Sequence, residues 1–145
     1  MVTYREVLLP FDLSPLIAEI SELRPVGPEK IVARTANDGM LVIAEVDGRL
    51  AGFKLGYAFN KSTFYSWLGG VAPASRGQGI GRELLRFQEK LVLARGCSLI
   101  RVKSMERFPA MLGLLESEGY VIIAKEREAD EDEKLVFEKN LQPVQ

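Results

Sequence analysis

Residues 69–82 read GGVAPASRGQGIGR, and this stretch organises the rest of the chain. It continues an apolar run typical of a strand, Phe64 to Val71, and an amphipathic helix is predicted directly after it. Three glycines stand at alternate positions, Gly77, Gly79 and Gly81. Glycine permits positive φ and lets a ligand approach the backbone, while the first amides of a helix lack carbonyl partners and carry the positive end of its dipole. The stretch therefore predicts a strand, an open loop and a helix N-terminus that binds an anion, most often a phosphate.

The spacing of the glycines argues against two common phosphate loops. A Walker loop needs a lysine and a hydroxyl residue directly after its last glycine, whereas Arg82 follows Gly81 here. A dinucleotide fingerprint needs a third glycine three positions after the second, and that position is again Arg82. A glycine-rich loop without any ligand stays open as the plain alternative.

The flanking sequence predicts strands and helices in a definite order. Ser14 and Pro15 are typical of a helix start, with the serine as N-cap, and Asp47-Gly48 predicts a tight hairpin. The predicted segments, in chain order, are β 3–9, α 14–23, α 29–35, β 40–46, β 50–59, β 64–71, α 80–95, β 98–102, α 109–118, β 120–125 and β 134–138. This order, β-α-α-β-β-β-α-β-α-β-β, predicts an α+β fold with a central mixed, largely antiparallel sheet, in a single domain over residues 1–145.

Composition restricts the classes of function. With 19 basic and 20 acidic residues the chain has no overall field to attract nucleic acid or an anionic membrane. No run approaches the ~18 apolar residues of a membrane span, and the lone Cys97 fits a reducing compartment. We therefore expect a soluble cytoplasmic protein with no nucleic-acid or membrane partner. The absence of histidine argues against a metal site and leaves carboxylates, tyrosine, lysine, Cys97, backbone or water for acid–base chemistry.

The glycine stretch resembles a known family. Residues 76–81, RGQGIG, match the Q/R-x-x-G-x-G/A motif of the GNAT (Gcn5-related) N-acetyltransferases, and Val71-Ala72-Pro73 resembles the V-x-P that leads into it. The element order is similar to the GNAT fold over nearly the whole chain, and residues 114–120, LLESEGY, resemble the family segment L-Y-E-K-x-G-F.

The resemblance implies acetyl-CoA as acyl donor, with no metal, and direct attack of a primary amine on the thioester. It implies that pantetheine lies beside the strand 64–71, with a bulge expected at Gly69-Gly70, and that pyrophosphate lies on the helix N-terminus. The implied coenzyme A-binding residues are Val71, Arg76, Gly77, Gln78, Gly79, Ile80, Gly81 and Arg82.

The chain departs from the family pattern at the catalytic acid. The family motif puts its tyrosine at Leu115, its asparagine at Phe108 and its alanine at Met111. The catalytic residues are therefore unknown from the sequence. The substitute donors to consider are Ser104, Glu106, Glu45, Tyr57 and Tyr65.

The resemblance places the amine acceptor, a small molecule or a protein amine, near Ser14 to Thr35 and the loop Glu126 to Glu133. Tyr57, Tyr65 and Trp67 are candidates for lining that pocket or for packing against the helices. Two alternatives to an acetyltransferase stay open: a non-catalytic acyl-CoA-binding module of the same fold, favoured by Leu115 and Phe108, and transfer of a longer acyl chain. A homodimer also stays open.

Overall fold

The computed structural model describes residues 1–23, 26–127 and 131–142 of the 145-residue chain. Its strands are β1 (Val2–Val7), β2 (Gly39–Val46), β3 (Arg49–Ala58), β4 (Thr63–Val71), β5 (Leu99–Ser104), β6 (Val121–Glu126) and β7 (Lys134–Asn140). Its α-helices are α1 (Ser14–Glu19), α2 (Pro28–Arg34), α3 (Ile80–Ala94) and α4 (Pro109–Ser117), with a short 3-10 turn at Pro73–Ser75. The predicted order of elements is confirmed.

All seven strands form one sheet in the order β1-β2-β3-β4-β5-β7-β6. Neighbours are antiparallel except β4 and β5, which run parallel, so the predicted mixed, largely antiparallel sheet is also confirmed. The β2–β3 hairpin turns at Asp47 and Gly48, both with positive φ, which is the turn chemistry that Asp-Gly predicts.

Helices cover both faces of the sheet. On one face, α3 and α4 pack over a core that includes Phe64, Leu84 and Leu115. On the other, α1 and α2 pack over a second core around Phe53 and Leu55. The central strands are therefore buried on both sides, and a polar residue on either side of them lies inside the protein. Along the described parts of the chain, no helix is long and apolar enough to cross a membrane.

One predicted cap is wrong. Leu13, not Ser14, occupies the N-cap position of α1, and no side chain caps the helix. The reason lies one residue further back, because the Asp12 carboxylate accepts hydrogen bonds from both the backbone N–H (3.0 Å) and the hydroxyl of Ser14. The carboxylate thus holds the serine in the first turn instead of before it.

Candidate functional site

A cleft opens where β4 separates from β5. The two strands pair only from Thr63 with Leu99 to Ser66 with Val102, and a cavity of about 830 Å³ lies between their diverging ends. Among the described residues no strand pairs with the rest of β4 on this side, so its backbone groups are available to a ligand.

A bulge in β4 marks the start of this separation. Leu55 pairs with Leu68 but Gly56 pairs with Ser66, so Trp67 is the extra residue. The expected position at Gly69-Gly70 is therefore wrong. Gly56 is the residue that permits the close approach, because a Cβ built on it would lie 2.3 Å from the Tyr65 carbonyl oxygen.

The glycine turn lies at the wide end of the cleft and has the conformation expected of an anion site. Gly77 and Gly79 have φ of +80° and +77°, and a Cβ on either would meet no described atom within 4 Å. Gly79 is the N-cap of α3 and no side chain caps the helix. The first helical N–H to bond is that of Glu83, to the Gly79 carbonyl at 3.1 Å, so the preceding amides are open to an anion. Gly81 has an ordinary helical conformation, and its missing side chain only leaves room beside Leu114 and Val71.

Most of the sequence-predicted coenzyme A residues come together here. Those lining the cleft are Val71, Arg76, Gly77, Gly79, Ile80 and Gly81. Ile80 is buried, and Gln78 is exposed in the loop. The Arg76 guanidinium contacts the Glu22 carboxylate at 2.6 Å and donates to the Val71 carbonyl at 3.1 Å.

Arg82 turns away from the turn to a carboxylate that the sequence had not indicated. Its Nη1 donates to Glu118 at 2.7 Å, and Arg86 donates to the same carboxylate through Nε at 2.6 Å and Nη2 at 3.0 Å. The hydrogen bonds from Arg86, followed by those from Arg82, lower the pKa of the buried Glu118 carboxyl. This cluster ties the first turns of α3 to the end of α4.

We expect Glu118→Gln to lower the free energy of unfolding by about 1–2 kcal/mol at pH 7, since two charge-assisted partners lose their carboxylate. A lowered folded-state pKa means that the stabilisation is present above the unfolded-state pKa and is lost as the pH falls through the folded-state value. Urea unfolding at pH 7 and at pH 3 measures this, and the difference in unfolding free energy between wild type and variant should be smaller at pH 3. The control is Glu83→Gln, which removes an exposed carboxylate 3.8 Å from Arg86; an equal loss there would contradict the prediction.

The position of the family tyrosine does not face the cleft. Leu115 is fully buried in the core beneath α4, whereas Phe108, Met111 and Leu114 line the cavity. A tyrosine at 115 would therefore point into the protein, because the helical phase of α4 places that side chain against the sheet. We therefore do not expect a tyrosine to be tolerated at position 115.

Of the other candidate proton donors, some line the cleft and some do not. Ser104 is buried and lines the cleft, as does Tyr65, whose pKa burial raises to about 12. Glu106 is exposed, and Glu45 accepts a hydrogen bond from Arg5 at 2.9 Å on the far side of the sheet.

Three aromatic residues form a group on the side of the cleft that faces α2. Tyr65 and Trp67 line it, and Tyr57 packs edge-on against both, with ring centroids 5.6 and 6.1 Å away. Arg34 on α2 donates to the Tyr57 hydroxyl at 3.1 Å and lies over the Trp67 ring. Tyr57 and Trp67 therefore contact α2, and Tyr65 and Trp67 face the cleft. That these rings line an acceptor pocket stays a prediction.

A second cavity, of about 900 Å³, adjoins the first between the β1–α1 loop, α1 and α2, and both cavities are lined by Ile20, Leu23 and Val26. Of the acidic loop 126–133, positions 128–130 lie outside the described residues, as do positions 24–25 near α1. Asp132 lines the cleft and contacts Arg107 at 3.6 Å. Within the described ranges, no group of histidine, cysteine or acidic side chains is arranged to hold a metal ion.

The cleft also contains polar residues that the sequence did not single out. Lys54, on β3, is 4% exposed and lines the cavity. Ser66, on β4, is buried and its hydroxyl donates to the Gln88 Oε1 at 2.7 Å. The only signal in the sequence was that Lys54 shares a strand face with Gly52 and Gly56, which leaves space above it.

The comparisons with known proteins agree with this geometry. The model of the Acetyltransferase (GNAT) family matches residues 11–120. Ribosomal-protein-S18-alanine N-acetyltransferase from Escherichia coli is similar in structure, with a TM-score of 0.83 and 17% identity over 100% of this chain and 97% of that one. A structure from Desulfovibrio desulfuricans assigned to the GNAT family gives a TM-score of 0.84 at 19% identity over 98% and 100% of the two chains.

A GNAT family acetyltransferase from Elizabethkingia anophelis, solved with acetyl-CoA bound, gives a TM-score of 0.75 at 14% identity over 96% and 97% of the chains. These structural likenesses establish the shared fold. Since the family model covers most of the chain, including the glycine turn, the chain belongs to the GNAT family of acetyltransferases.

Proposed function

We propose that this protein transfers an acetyl group from acetyl-CoA to a primary amine by direct attack. The observation that carries the proposal is the continuity of two features, the uncapped N-terminus of α3 and the separation of β4 from β5. The first suits a pyrophosphate and the second suits an extended pantetheine chain, and one cleft joins them.

In this proposal the amides after Gly77 bind the pyrophosphate, and the free edge of β4 near Val71 binds the pantetheine amides. Arg76 contributes positive charge at the mouth, although it is already paired with Glu22. Arg82 contributes its backbone amide, since its guanidinium group is paired with Glu118. Coenzyme A binding would then use Val71, Arg76, Gly77, Gln78, Gly79, Ile80, Gly81 and Arg82. The thioester would lie at the narrow end, near the Trp67 bulge, where a backbone amide can polarise its carbonyl group.

The main contribution that this reaction needs from the protein is the placement of the amine and the thioester. A neutral amine attacks the thioester carbon, the C–S bond breaks, and the amine proton passes to a base or to water. Holding the two reactants in one cleft accounts for much of the acceleration in such a reaction. We propose that the acceptor, a small molecule or a protein amine, enters past the Tyr65 and Trp67 rings from the side of α1 and α2, where the adjoining cavity is largely apolar.

The experiment is acetyl-CoA turnover against a panel of primary amines and amine-bearing peptides, followed by thiol release and by the mass of the product. We expect a gain of one acetyl group on an amine. If calorimetry shows coenzyme A binding but no amine gives thiol release, the acyl-CoA-binding module replaces this proposal.

We further propose that residues 1–145 form one acetyltransferase domain acting in the cytoplasm. The single sheet supports one domain, and a lone cysteine, which cannot form an internal disulfide, fits a reducing compartment. If the protein forms a homodimer, we propose that β6 forms the contact between the two copies. This edge strand exposes Val121, Ile122 and Ile123, which a second copy would cover.

A further inference from the structure

Lys54 is an unusual residue for the place it occupies. It lies in the middle of β3, paired with Val42 on one side and Gly69 on the other, and it is 4% exposed. No described side chain or carbonyl group hydrogen-bonds to its ammonium group, and no described carboxylate lies within ion-pair distance. Partial desolvation without such a partner disfavours the charged form. Because the side chain lines the cavity, a ligand atom there that carries negative charge can compensate it.

The side chain runs directly beneath the free edge of β4. A Cβ built on Gly69 would lie 3.1 Å from Cδ and 3.3 Å from Cε of Lys54. Gly69 belongs to the part of β4 that has separated from β5. The absence of a side chain at Gly69 therefore lets the lysine reach into the cleft on the face of the sheet covered by α3 and α4.

A second unpaired donor lies on the same face. Ser66 marks the narrow end of the cleft, and its partner Gln88 is fully buried on α3. The Gln88 Nε2 is buried without a hydrogen-bond partner among the described residues. Gln88 does not line the cleft, so of these two donors Lys54 is the one that can reach a ligand atom that carries negative charge.

We propose that Lys54 is the catalytic acid of this site, donating a proton from its ammonium group to the coenzyme A sulfur as the thioester C–S bond breaks. The proposal rests on the proposed function. The amine nitrogen bonds to the carbonyl carbon, the C–S electron pair goes to sulfur, and sulfur takes the proton from Nζ. The attacking nitrogen loses its own proton to water, and neutral Lys54 recovers one from water, so the charges balance. This assignment fills the role that Leu115 cannot fill.

The electrostatic surroundings of Lys54 suit this role. Burial lowers its pKa to about 8, against which Glu89 on α3 acts in the opposite direction. Glu89 is itself held by the Tyr120 hydroxyl at 2.6 Å and by Lys139 of β7 at 3.0 Å. The neighbours of Lys54 in the sheet, Val42 and Gly69, do not titrate. A free thiol has a pKa near 8.5, so proton transfer between the two groups is close to balanced near neutral pH.

The test uses coenzyme A itself as the probe and needs no knowledge of the acceptor. Calorimetry first measures coenzyme A binding to wild type, Lys54→Met and Lys54→Arg. The ultraviolet absorbance of the thiolate then gives the pKa of the bound thiol, with apoprotein subtracted to remove Cys97. We expect the bound thiol of wild type to titrate about one unit below free coenzyme A. In Lys54→Met it should titrate at or above the free value, with binding affinity within a few-fold of wild type.

Turnover and stability supply independent readouts. With any amine that wild type accepts, Lys54→Met should lower kcat about 100-fold with little change in KM for acetyl-CoA. The fall of wild-type kcat as the pH rises through about 8 should disappear in the variant. Lys54→Arg keeps the charge but holds its proton too tightly to donate it, so the bound thiol pKa should stay low while kcat still falls. Lys54→Met should also melt at a higher temperature than wild type at pH 7, and the difference should narrow toward pH 10, because the buried charge is lost from wild type as the pH rises.

Lys90→Met, on the exposed side of α3, is the control for removal of one positive charge and should leave the bound thiol pKa unchanged. The same thiol pKa in wild type and Lys54→Met would overturn the proposal, as would full turnover in Lys54→Arg. Failure of wild type to bind coenzyme A would instead overturn the proposed function, and this proposal with it.

Discussion

Replacing Gly79 with aspartate should weaken coenzyme A binding by about 100-fold or more, which corresponds to about 3 kcal/mol, while the protein remains folded. Gly79 is the N-cap of α3, and a Cβ there meets open space. Aspartate is among the residues that best tolerate positive φ and is a good N-cap. Its carboxylate would accept hydrogen bonds from the open amides at the helix N-terminus and would repel the phosphates that we expect there.

Gly96→Asp is a matched control for this variant. Gly96 lies just past the other end of α3, also has positive φ (+97°), and also has nothing described within 4 Å of a built Cβ. Calorimetric titration with coenzyme A compares the two, and Gly79→Asn separates charge from bulk. Unchanged affinity in Gly79→Asp would contradict the phosphate assignment, and an equal loss in Gly96→Asp would attribute the effect to backbone strain.

Restoring the family tyrosine at Leu115 should damage the protein and leave the rate no higher. Leu115 is completely buried in the core with Val92 and Tyr120. A larger side chain in a packed core costs about 1–3 kcal/mol, and an unpaired buried hydroxyl group adds about 1–3 kcal/mol. We therefore expect Leu115→Tyr to lower the free energy of unfolding by about 3 kcal/mol, measured by urea unfolding.

The neighbouring Leu114 provides the comparison, since it is only partly buried and lines the cleft. Leu114→Tyr can place its hydroxyl group in the cleft and should be clearly less destabilising than Leu115→Tyr. A stable Leu115→Tyr protein with a raised kcat would show that the family motif, and not the helical phase of α4, identifies the site of the acid.

Local sequence signals predicted the elements well because each signal acts within a few residues. Asp47-Gly48 specifies its own turn, and the glycine turn at 77–79 with the helix that follows specifies its own geometry. The errors arose where a neighbour decided the outcome. Ser14 lies inside the helix because it hydrogen-bonds to Asp12. The bulge lies at Trp67, where Gly56 on the adjacent strand permits a close approach of the two backbones.

The buried polar residues were missed for a related reason. Between Phe53 and Leu55, Lys54 has the alternation typical of a half-exposed strand, and Gln88 resembles the polar side of an amphipathic helix. Both are inside the protein because α3 covers one face of β3 while α1 and α2 cover the other. Alternation along a strand reveals its two faces but not whether a helix will cover the second.

The sequence by itself determined the order of elements, the family and the conformation of the glycine turn, because these depend on residue type and spacing along the chain. Tertiary structure alone decided which side chains face the cleft. Leu115 lies in the core, Arg82 is paired with Glu118, and the side chain of Lys54 lies beneath the free edge of β4. Each of these outcomes depends on strand register and helical phase between segments distant in sequence, and no local pattern encodes them.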